Sequence, residues 1–373
     1  MDRRSMSICS KNAPKKGFQV MRLFNNSATA ALLRFLGVAL AAAVIIVPLA
    51  GSSADAAKPA SCTNLVTACG CVIDKKDTIY TVANDLSAVG TSPNCIEIAA
   101  AHTVLNLKGY NVVGNGTGTG IGILIRKGAD HVVVAGGDAS GSPPPAGADD
   151  GSSEPGVVAK WDTGIEDDGD FAAIELFSNI GGFFEGIPGN NTGVLLNGVK
   201  NSVVFNVHAD LNNNVGIMLR NTTNCRLSNY DTGGNDTGVL VDSSNGNRFA
   251  TASMMGNRKV GIWLMASSNN TLMDCNGTEF NGDVGILLGC GPETGCSAAG
   301  GSNNNRITSC GGKNSGVAGI LIDDGNGNNI VTVTHNSGNP DKADMVDNNL
   351  NCGTDLWYNN QGTGNQSCVL LNP

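Results

Sequence analysis

A repeat of about 22 residues constrains the fold of this chain more than any other feature of its sequence. Each copy begins with a glycine that precedes three mostly apolar residues, and the copies start at Gly193, Gly216, Gly238, Gly261, Gly285 and Gly319. The spacings are 23, 22, 23, 24 and 34 residues, the last because of an insertion. A unit this short cannot bury its own apolar face, so the copies are expected to stack on one another.

A second column of mostly polar residues recurs between the glycines, and each of its members directly precedes a second short strand. The column contains Ser202, Cys225, Asn247, Asn270, Asn305 and Asn329. Asparagine tolerates left-handed backbone conformations at turns and can form side-chain ladders between stacked strands. Two strands per unit predict an all-β chain, a single-stranded right-handed parallel β-helix. A leucine-rich repeat has a similar unit length, but its helical half is missing here.

The repeats resemble those of the pectin-lyase-like superfamily of right-handed parallel β-helix proteins. Residues 78–86, 95–98, 103–109 and 111–114 look like the opening coils of bacterial exported members. The resemblance covers roughly residues 75–135 and 190–340, and it implies a fold. It implies no single activity, because the superfamily includes lyases, hydrolases, epimerases and members with other roles.

The chain is expected to have four parts. Residues 1–56 look like a signal peptide, with Met21 as an alternative start: basic residues precede an apolar run, and Ala-Asp-Ala follows it. A retained membrane anchor is the alternative. The second part, 57–94, is a cysteine-rich N-terminal cap with the first strand. The third, 95–350, is the β-helix with a long inserted loop at 138–190, and the fourth, 351–373, is a C-terminal cap.

Charge narrows the choice of partners. Residues 57–373 contain 16 basic and 30 acidic residues, a net charge of −14. A field of this sign disfavours nucleic acids and anionic membranes, and it disfavours polyanionic sugars unless Ca²⁺ bridges the two. We therefore expect an exported protein, secreted, periplasmic or on the cell surface, with a polysaccharide as its candidate partner.

Eleven of the twelve cysteines follow residue 56, without a Cys-x-x-Cys pair or a nearby histidine. This pattern favours disulfides over a zinc site in an exported chain, and no cofactor other than Ca²⁺ is expected. Cys275 and Cys310 each follow their column asparagine by five residues and should therefore be neighbours. The expected bridges are Cys275–Cys310, Cys290–Cys296, Cys352–Cys368 as a staple of the C-terminal cap, and two among the first four cysteines, for instance Cys71–Cys95. Cys225 remains as a free thiol.

The outward face of the first strand carries an apolar stripe. Side chains alternate along a strand, so the second residue after each repeat glycine should face out. This column contains Leu195, Met218, Leu240, Trp263, Leu287 and Leu321. A cover is therefore expected: the apolar end of 138–190, a second copy of the chain in a homo-oligomer, or a sugar bound on Trp263.

Two arginines should stack on adjacent coils. Arg226 and Arg248 occupy the same position of successive units, and Arg220 and Asp242 should stack similarly nearby. Like charges this close favour a bound anion. Arg226 and Arg248 are therefore candidate uronate-binding residues, and pairing of the arginines with local aspartates is the alternative. Trp263, on the apolar stripe, is a separate candidate ligand-binding residue.

Candidate catalytic and metal-binding residues are few. Asp323 and Asp324 form the one aspartate pair of the repeats and could divide acid and base roles, although a turn role is the alternative. Resemblance to the superfamily lyases implies an arginine base with carboxylates, for which Arg220, Asp242 and Arg248 are candidates. Oxygen ligands for Ca²⁺ could come from an acidic run without EF-hand spacing, Asp162, Glu166, Asp167, Asp168 and Asp170.

Two classes of function follow from these residues. The missing catalytic motifs favour a non-catalytic exported protein that binds carbohydrate or serves the cell envelope or surface. The alternative is a polysaccharide lyase or a glycoside hydrolase that acts on an extracellular polysaccharide.

Overall fold

The computed structural model describes residues 59–88, 93–136, 157–176, 189–275, 277–289, 301–323, 326–332, 334, 343–365 and 369. These residues belong to one compact unit, Ala57–Pro373. They form short strands separated by turns, together with one 3₁₀ turn, Leu350–Cys352. The predicted signal peptide at 1–56 lies outside the described residues.

The described strands are two to six residues long. In chain order they are β1 (Ala60–Ser61), β2 (Leu65–Val66), β3 (Cys71–Ile73), β4 (Ile79–Val82), β5 (Leu86–Ser87), β6 (Asn94–Ile98), β7 (Val104–Asn106), β8 (Val112–Val113), β9 (Ile121–Ile125), β10 (Val133–Gly136), β11 (Val158–Ala159), β12 (Thr163–Asp167), β13 (Ala173–Leu176), β14 (Thr192–Asn197), β15 (Val203–His208), β16 (Val215–Arg220), β17 (Arg226–Asp231), β18 (Thr237–Asp242), β19 (Arg248–Ser253), β20 (Val260–Met265), β21 (Thr271–Met273), β22 (Val284–Leu288), β23 (Arg306–Thr308), β24 (Ala318–Ile322), β25 (Ile330–Thr332), β26 (Met345–Asp347) and β27 (Leu356–Tyr358).

The strands assemble into two long parallel sheets. Within the described residues, sheet A has the order β1-β3-β6-β9-β12-β14-β16-β18-β20-β22-β24-β26, and sheet B has the order β2-β4-β7-β10-β13-β15-β17-β19-β21-β23-β25-β27. A small third sheet joins β5, β8 and β11. Each strand therefore pairs with the equivalent strand of the coil before and after it. This arrangement confirms the predicted right-handed parallel β-helix.

The core lies between the two sheets. Ile217 and Leu219 of β16, which follow a repeat glycine by one and three residues, are both completely buried, as the alternation predicts. Leu227 of β17 meets them from sheet B and is 1% exposed. The same pattern continues from Cys62 to Trp357, so the coils share one continuous apolar core.

The repeat glycine is required by a close approach between coils. A Cβ atom on Gly216 would lie 2.7 Å from the carbonyl oxygen of Gly238 and 2.9 Å from Nδ2 of Asn235. A Cβ atom on Gly238 would meet Gly261 of the next coil in the same way, at 2.7 Å. Contacts this short exclude any side chain, so the glycine column reflects packing at a corner of the coil.

The polar column forms a buried amide ladder. Nδ2 of Asn247, Asn270 and Asn305 each donates to Oδ1 of the next column residue at 3.2 Å. The same Oδ1 atoms accept the backbone N–H of the preceding column residue at 2.9 Å. A second ladder at another corner, which the sequence analysis did not identify, comprises Asn190, Asn212, Asn235, Asn257 and Asn281. These ladders satisfy polar groups that the turns would otherwise bury without partners.

Cys225 occupies a ladder position where later coils have asparagine. It is buried and free, as predicted, and its N–H donates to Oδ1 of Asn247 at 2.9 Å. Burial raises the pKa of the thiol to about 11. The thiol is therefore protonated and unreactive at neutral pH, and its place in the ladder is structural.

Replacing Cys225 by asparagine is expected to stabilise the protein by about 1 kcal/mol, because a neutral buried hydrogen bond contributes about that much. The new amide can donate to Asn247 and to the Val199 carbonyl, as Asn270 donates to Asn305 and to the Ser244 carbonyl. Thermal unfolding should show a midpoint about 2 °C higher. Cys225→Ala removes the thiol without adding an amide and serves as the control; a midpoint for Cys225→Asn no higher than for Cys225→Ala contradicts the prediction.

The disulfides confirm one predicted pair and correct another. Cys275 and Cys310 are bonded, as their shared position in the repeat predicted. The pair Cys71–Cys95 is wrong: the bonds are Cys62–Cys71 and Cys69–Cys95. The reason is strand order, because the N–H of Cys62 donates to Val72 of β3 and so brings Cys62 beside Cys71.

The predicted bridges Cys290–Cys296 and Cys352–Cys368 involve cysteines that the structure does not describe. Cys290, Cys296 and Cys368 lie outside the described residues. Cys352 is disulfide-bonded.

The expected caps are partly coils. At the N-terminal end, β1 and β3 belong to sheet A, and β2 and β4 belong to sheet B, so 57–94 is not only a cap. At the C-terminal end, β27 extends sheet B, and Trp357 is 2% exposed in the core. The repeat signature is weak at both ends, but alternate apolar side chains still bury against the neighbouring coil.

The expected inserted loop at 138–190 contains a full coil. Strands β11, β12 and β13 join the three sheets, and Ile165 and Ile174 are at most 1% exposed in the core. Residues Ala173–Leu176 of its apolar end therefore belong to sheet B. The rest of that end, 177–188, lies outside the described residues, so the expected cover over the apolar stripe stays a prediction. The pattern is hidden because Asp167 stands where the neighbouring strands have Ile125 and Leu196.

Candidate ligand-binding surface

The apolar stripe on sheet A is largely covered. Leu195, Met218, Leu287 and Leu321 are at most 8% exposed, although they lie outside the main core in two smaller clusters. Leu240 and Trp263 are half-buried beside them. The expectation that a second copy of the chain covers the stripe stays a prediction.

Trp263 does not face the arginine pair. It belongs to sheet A, packs in the cluster with Leu287, and donates from Nε1 to the carbonyl of Gly289 at 2.7 Å. Arg226 and Arg248 belong to sheet B. The structure therefore places the candidate sugar-binding Trp263 on a different sheet from the two candidate uronate-binding arginines.

Arg220 and Asp242 stack as predicted, at the ends of β16 and β18. Nε of Arg220 lies 3.9 Å from Oδ2 of Asp242, so this arginine has a carboxylate partner. The pair belongs to sheet A, and Arg248 belongs to sheet B. The three candidate lyase residues thus do not form one site.

Arg226 and Arg248 stack on sheet B. They are the first residues of β17 and β19 and are direct register partners. Both are exposed, and both line a cavity of about 640 Å³ whose walls are Asn201, Val203, Asn224, Cys225, Arg226, Gly246, Asn247, Arg248 and Thr271. Among the described residues, neither guanidinium has an ion pair or a side-chain hydrogen bond. The alternative of pairing with local aspartates is therefore not observed.

The ladder holds the backbone of this arginine pair. Arg226 and Arg248 directly follow Cys225 and Asn247, and their N–H groups donate to the carbonyls of Ser202 and Cys225. Neighbouring parallel strands lie roughly 4.8 Å apart, and like charges placed opposite each other across strands are unfavourable. A carboxylate between the guanidinium groups removes this repulsion and can accept two hydrogen bonds from each fork. The geometry therefore suits an anionic ligand.

A second polar cluster lies at the other end of the same strands. His208, Asp210 and Asp231 place one ligand atom each within 4.8 Å of one another. His208 and Asp231 end β15 and β17 and are register partners. A cavity of about 390 Å³ beside them is lined by His208, Asn229, Tyr230, Asp231, Thr251, Ala252, Ser253 and Asp274. The sequence analysis missed this cluster, although the His-x-Asp spacing at a strand end was a usable signal.

The carboxylates of the acidic run have different environments in the structure. Asp167 is completely buried, Asp170 accepts the N–H of Lys200 at 2.6 Å, and Asp162 accepts from Asn191 at 3.3 Å. Glu166 and Asp168 are half-buried, and desolvation raises the pKa of both carboxyl groups. Across the described residues, no three members of the run share one ligand position.

Asp167 is the strongly perturbed carboxyl group of this run. Burial raises its pKa to about 7, against hydrogen bonds from Ser202 and from the N–H of Gly169 at 3.0 Å that lower it. Its second carboxylate oxygen has no hydrogen-bond partner. A group held inside the core in this way affects stability and does not reach a ligand on the surface.

The predicted aspartate pair can be placed only in part. Asp323 follows β24 and accepts from Nδ2 of Asn348 at 3.1 Å. Asp324 lies outside the described residues.

Part of the chain matches the sequence model of a known protein family. Residues 191–366 match the model described as the right handed beta helix region, which confirms the resemblance in fold. No curated protein matches the sequence.

Three solved structures illustrate the similarity. The tailspike protein of Dettilon is 16% identical, with 68% of this chain and 58% of that chain covered and a TM-score of 0.40. The mannuronan C-5 epimerase AlgE6 A-module of Azotobacter vinelandii is 13% identical, with 76% and 82% covered and a TM-score of 0.43. The periplasmic alginate epimerase AlgG is 15% identical, with 67% and 73% covered and a TM-score of 0.38. The chain thus spans little more than half of the tailspike's length.

Proposed function

We propose that this right-handed parallel β-helix protein is an exported, non-catalytic binder of an acidic polysaccharide. The ligand lies on sheet B, where its carboxylates contact Arg226 and Arg248. The observation that carries the proposal is the stacking of two exposed arginines, without carboxylate partners among the described residues, over a cavity of about 640 Å³.

Export is supported by the cysteine chemistry. Three disulfides join pairs of described cysteines, and Cys352 is also disulfide-bonded; such bonds are typical of extracytoplasmic proteins. The basic, apolar and small-residue order of residues 1–56 supports the same location. No helix among the described residues is long and apolar enough to cross a membrane.

The charge distribution favours a uronate polymer over a nucleic acid. Residues 57–373 have a net charge of −14, which opposes a polyanion as densely charged as DNA or RNA. A uronate polymer carries at most one carboxylate per sugar, so a local arginine pair can bind it against the overall field. Planar guanidinium groups match carboxylates geometrically, which a diffuse positive surface does not.

The absence of catalysis is supported by the separation of the candidate catalytic residues. Arg220 is paired with Asp242 on sheet A, Arg248 lies on sheet B, and Asp323 follows β24 near Asn348. General acid–base catalysis needs its groups within hydrogen-bond reach of one substrate atom. These residues do not share such a position.

The test is binding of alginate, polygalacturonate and a neutral glucan by affinity electrophoresis and calorimetry. A hydrogen bond to a charged group contributes roughly 1.5–3 kcal/mol, so Arg226→Ala and Arg248→Ala should each weaken uronate binding at least about 10-fold. Arg258→Ala is the control, because Arg258 pairs with Asp236 away from the cavity. Binding to neither uronate, or equal binding by the double variant, contradicts the proposal. Chromatography of the same mixtures checks catalysis, and released fragments would favour the lyase or hydrolase instead.

A further inference from the structure

We propose that His208, Asp210 and Asp231 form a binding site for a divalent transition-metal ion of the Zn²⁺ type. The three side chains offer one imidazole nitrogen and two carboxylate oxygens within 4.8 Å of one another. Ligand atoms at about 2.0–2.2 Å from a tetrahedral zinc ion lie roughly 3.3–3.6 Å apart. Small side-chain rotations therefore complete the site without moving the backbone.

The fold places these ligands independently of any metal. His208 and Asp231 end neighbouring strands of sheet B in direct register, so they stand side by side about one strand spacing apart. Asp210 follows two residues after His208 and accepts the N–H of Gly233 through Oδ1 at 2.5 Å. This hydrogen bond orients the carboxylate, and Oδ2 lies 4.0 Å from Nδ1 of His208. Orientation of a ligand by an outer hydrogen bond is typical of metal sites.

The electrostatics of the adjoining cavity favour a cation. Asp231 and Asp274 line the cavity of about 390 Å³ with His208, and no lysine or arginine lines it. Within the part of the chain that the structure describes, the half-buried Asp231 carboxylate has no hydrogen bond or ion pair. A cation bound between the Asp210 and Asp231 carboxylates would offset the repulsion between these two like charges.

The donor set selects the kind of ion. Ca²⁺ prefers six to eight oxygen ligands, whereas an imidazole nitrogen with two carboxylates suits Zn²⁺ and related transition ions. Three protein ligands beside an open cavity leave a fourth position for water or a ligand atom. Asp231 lies five residues along the strand from Arg226, roughly 16 Å away. Metal binding at this site is therefore independent of sugar binding at the arginine pair.

The test is calorimetric titration of the full, chelator-treated chain with ZnCl₂, with Co²⁺ absorption as a second readout of the ligand set. One ion per chain is expected, and Asp231→Asn and His208→Ala should each weaken binding at least about 10-fold. His102→Gln is the control, because His102 is exposed and stacks on His131 outside this cluster. Far-ultraviolet circular dichroism should show that the near-isosteric Asp231→Asn variant is folded.

Three outcomes would overturn the proposal. The first is that the wild-type protein binds no Zn²⁺ at any concentration from micromolar to millimolar, which would mean that the site does not exist. Equal binding by the Asp231→Asn and His208→Ala variants would assign the ion to adventitious carboxylates of this acidic surface. Displacement of Zn²⁺ by an equal concentration of Ca²⁺ would contradict the choice of ion.

Discussion

Replacing Asn270 by alanine is expected to lower the free energy of unfolding by about 4 kcal/mol. Its side chain makes four buried hydrogen bonds, to the N–H and Nδ2 of Asn247, Oδ1 of Asn305 and the carbonyl of Ser244. Each buried polar group left without a partner costs about 1–3 kcal/mol. Urea unfolding, followed by circular dichroism, should show a lower midpoint at an unchanged slope.

Asn213→Ala is the matched control for this prediction. Asn213 is also a turn asparagine, but it is exposed and its side chain belongs to neither ladder. Its removal should change stability by no more than about 0.5 kcal/mol. If Asn270→Ala costs less than about 1 kcal/mol, the ladder is not a main source of stability in the turns.

Replacing Asp167 by asparagine is expected to stabilise the protein at alkaline pH by up to about 3 kcal/mol. The pKa of Asp167 is raised from 3.8 to about 7, so the folded state holds this proton more strongly than the unfolded state. Stability from the protonated carboxyl is therefore fully present below about pH 4 and is lost as pH rises through 7. Asparagine stays neutral and keeps the oxygen that accepts from Gly169.

The measurement is the thermal midpoint of both proteins from pH 4 to pH 9. The difference should be near zero at pH 4, grow as pH increases and level off above pH 8. Asp283→Asn, at an exposed turn, is the control and should leave the profile of the wild type unchanged. A difference between Asp167→Asn and wild type that does not depend on pH would mean that Asp167 does not titrate in this range.

Periodicity accounts for what the sequence predicted correctly. The position in the repeat determines which residues are stacked, so the Asn270 ladder and the Cys275–Cys310 bridge follow from counting. The free Cys225 follows from the odd number of cysteines after residue 56. The coil at 157–176 was not predicted from the sequence, because Asp167 replaces an inward-facing apolar residue of the repeat. A single buried carboxyl group therefore interrupts the apolar alternation by which a coil is recognised in the sequence.

The candidate site was predictable only where it depends on register. Stacking of Arg226 on Arg248 follows from their spacing, but the lack of carboxylate partners is a three-dimensional fact. The cluster around His208 could have been predicted in the same way, because His208 and Asp231 are register partners and Asp210 follows His208 by two residues.

The most direct test of the central claim is a crystal structure of the protein with a short oligouronide. The account predicts a sugar carboxylate in the cavity on sheet B, within hydrogen-bond distance of both Arg226 and Arg248. The same oligouronide should not be bound in crystals of the Arg226→Ala, Arg248→Ala double variant. A bound sugar on the outer face of sheet A, or an empty cavity between the two arginines at millimolar ligand, would contradict the account.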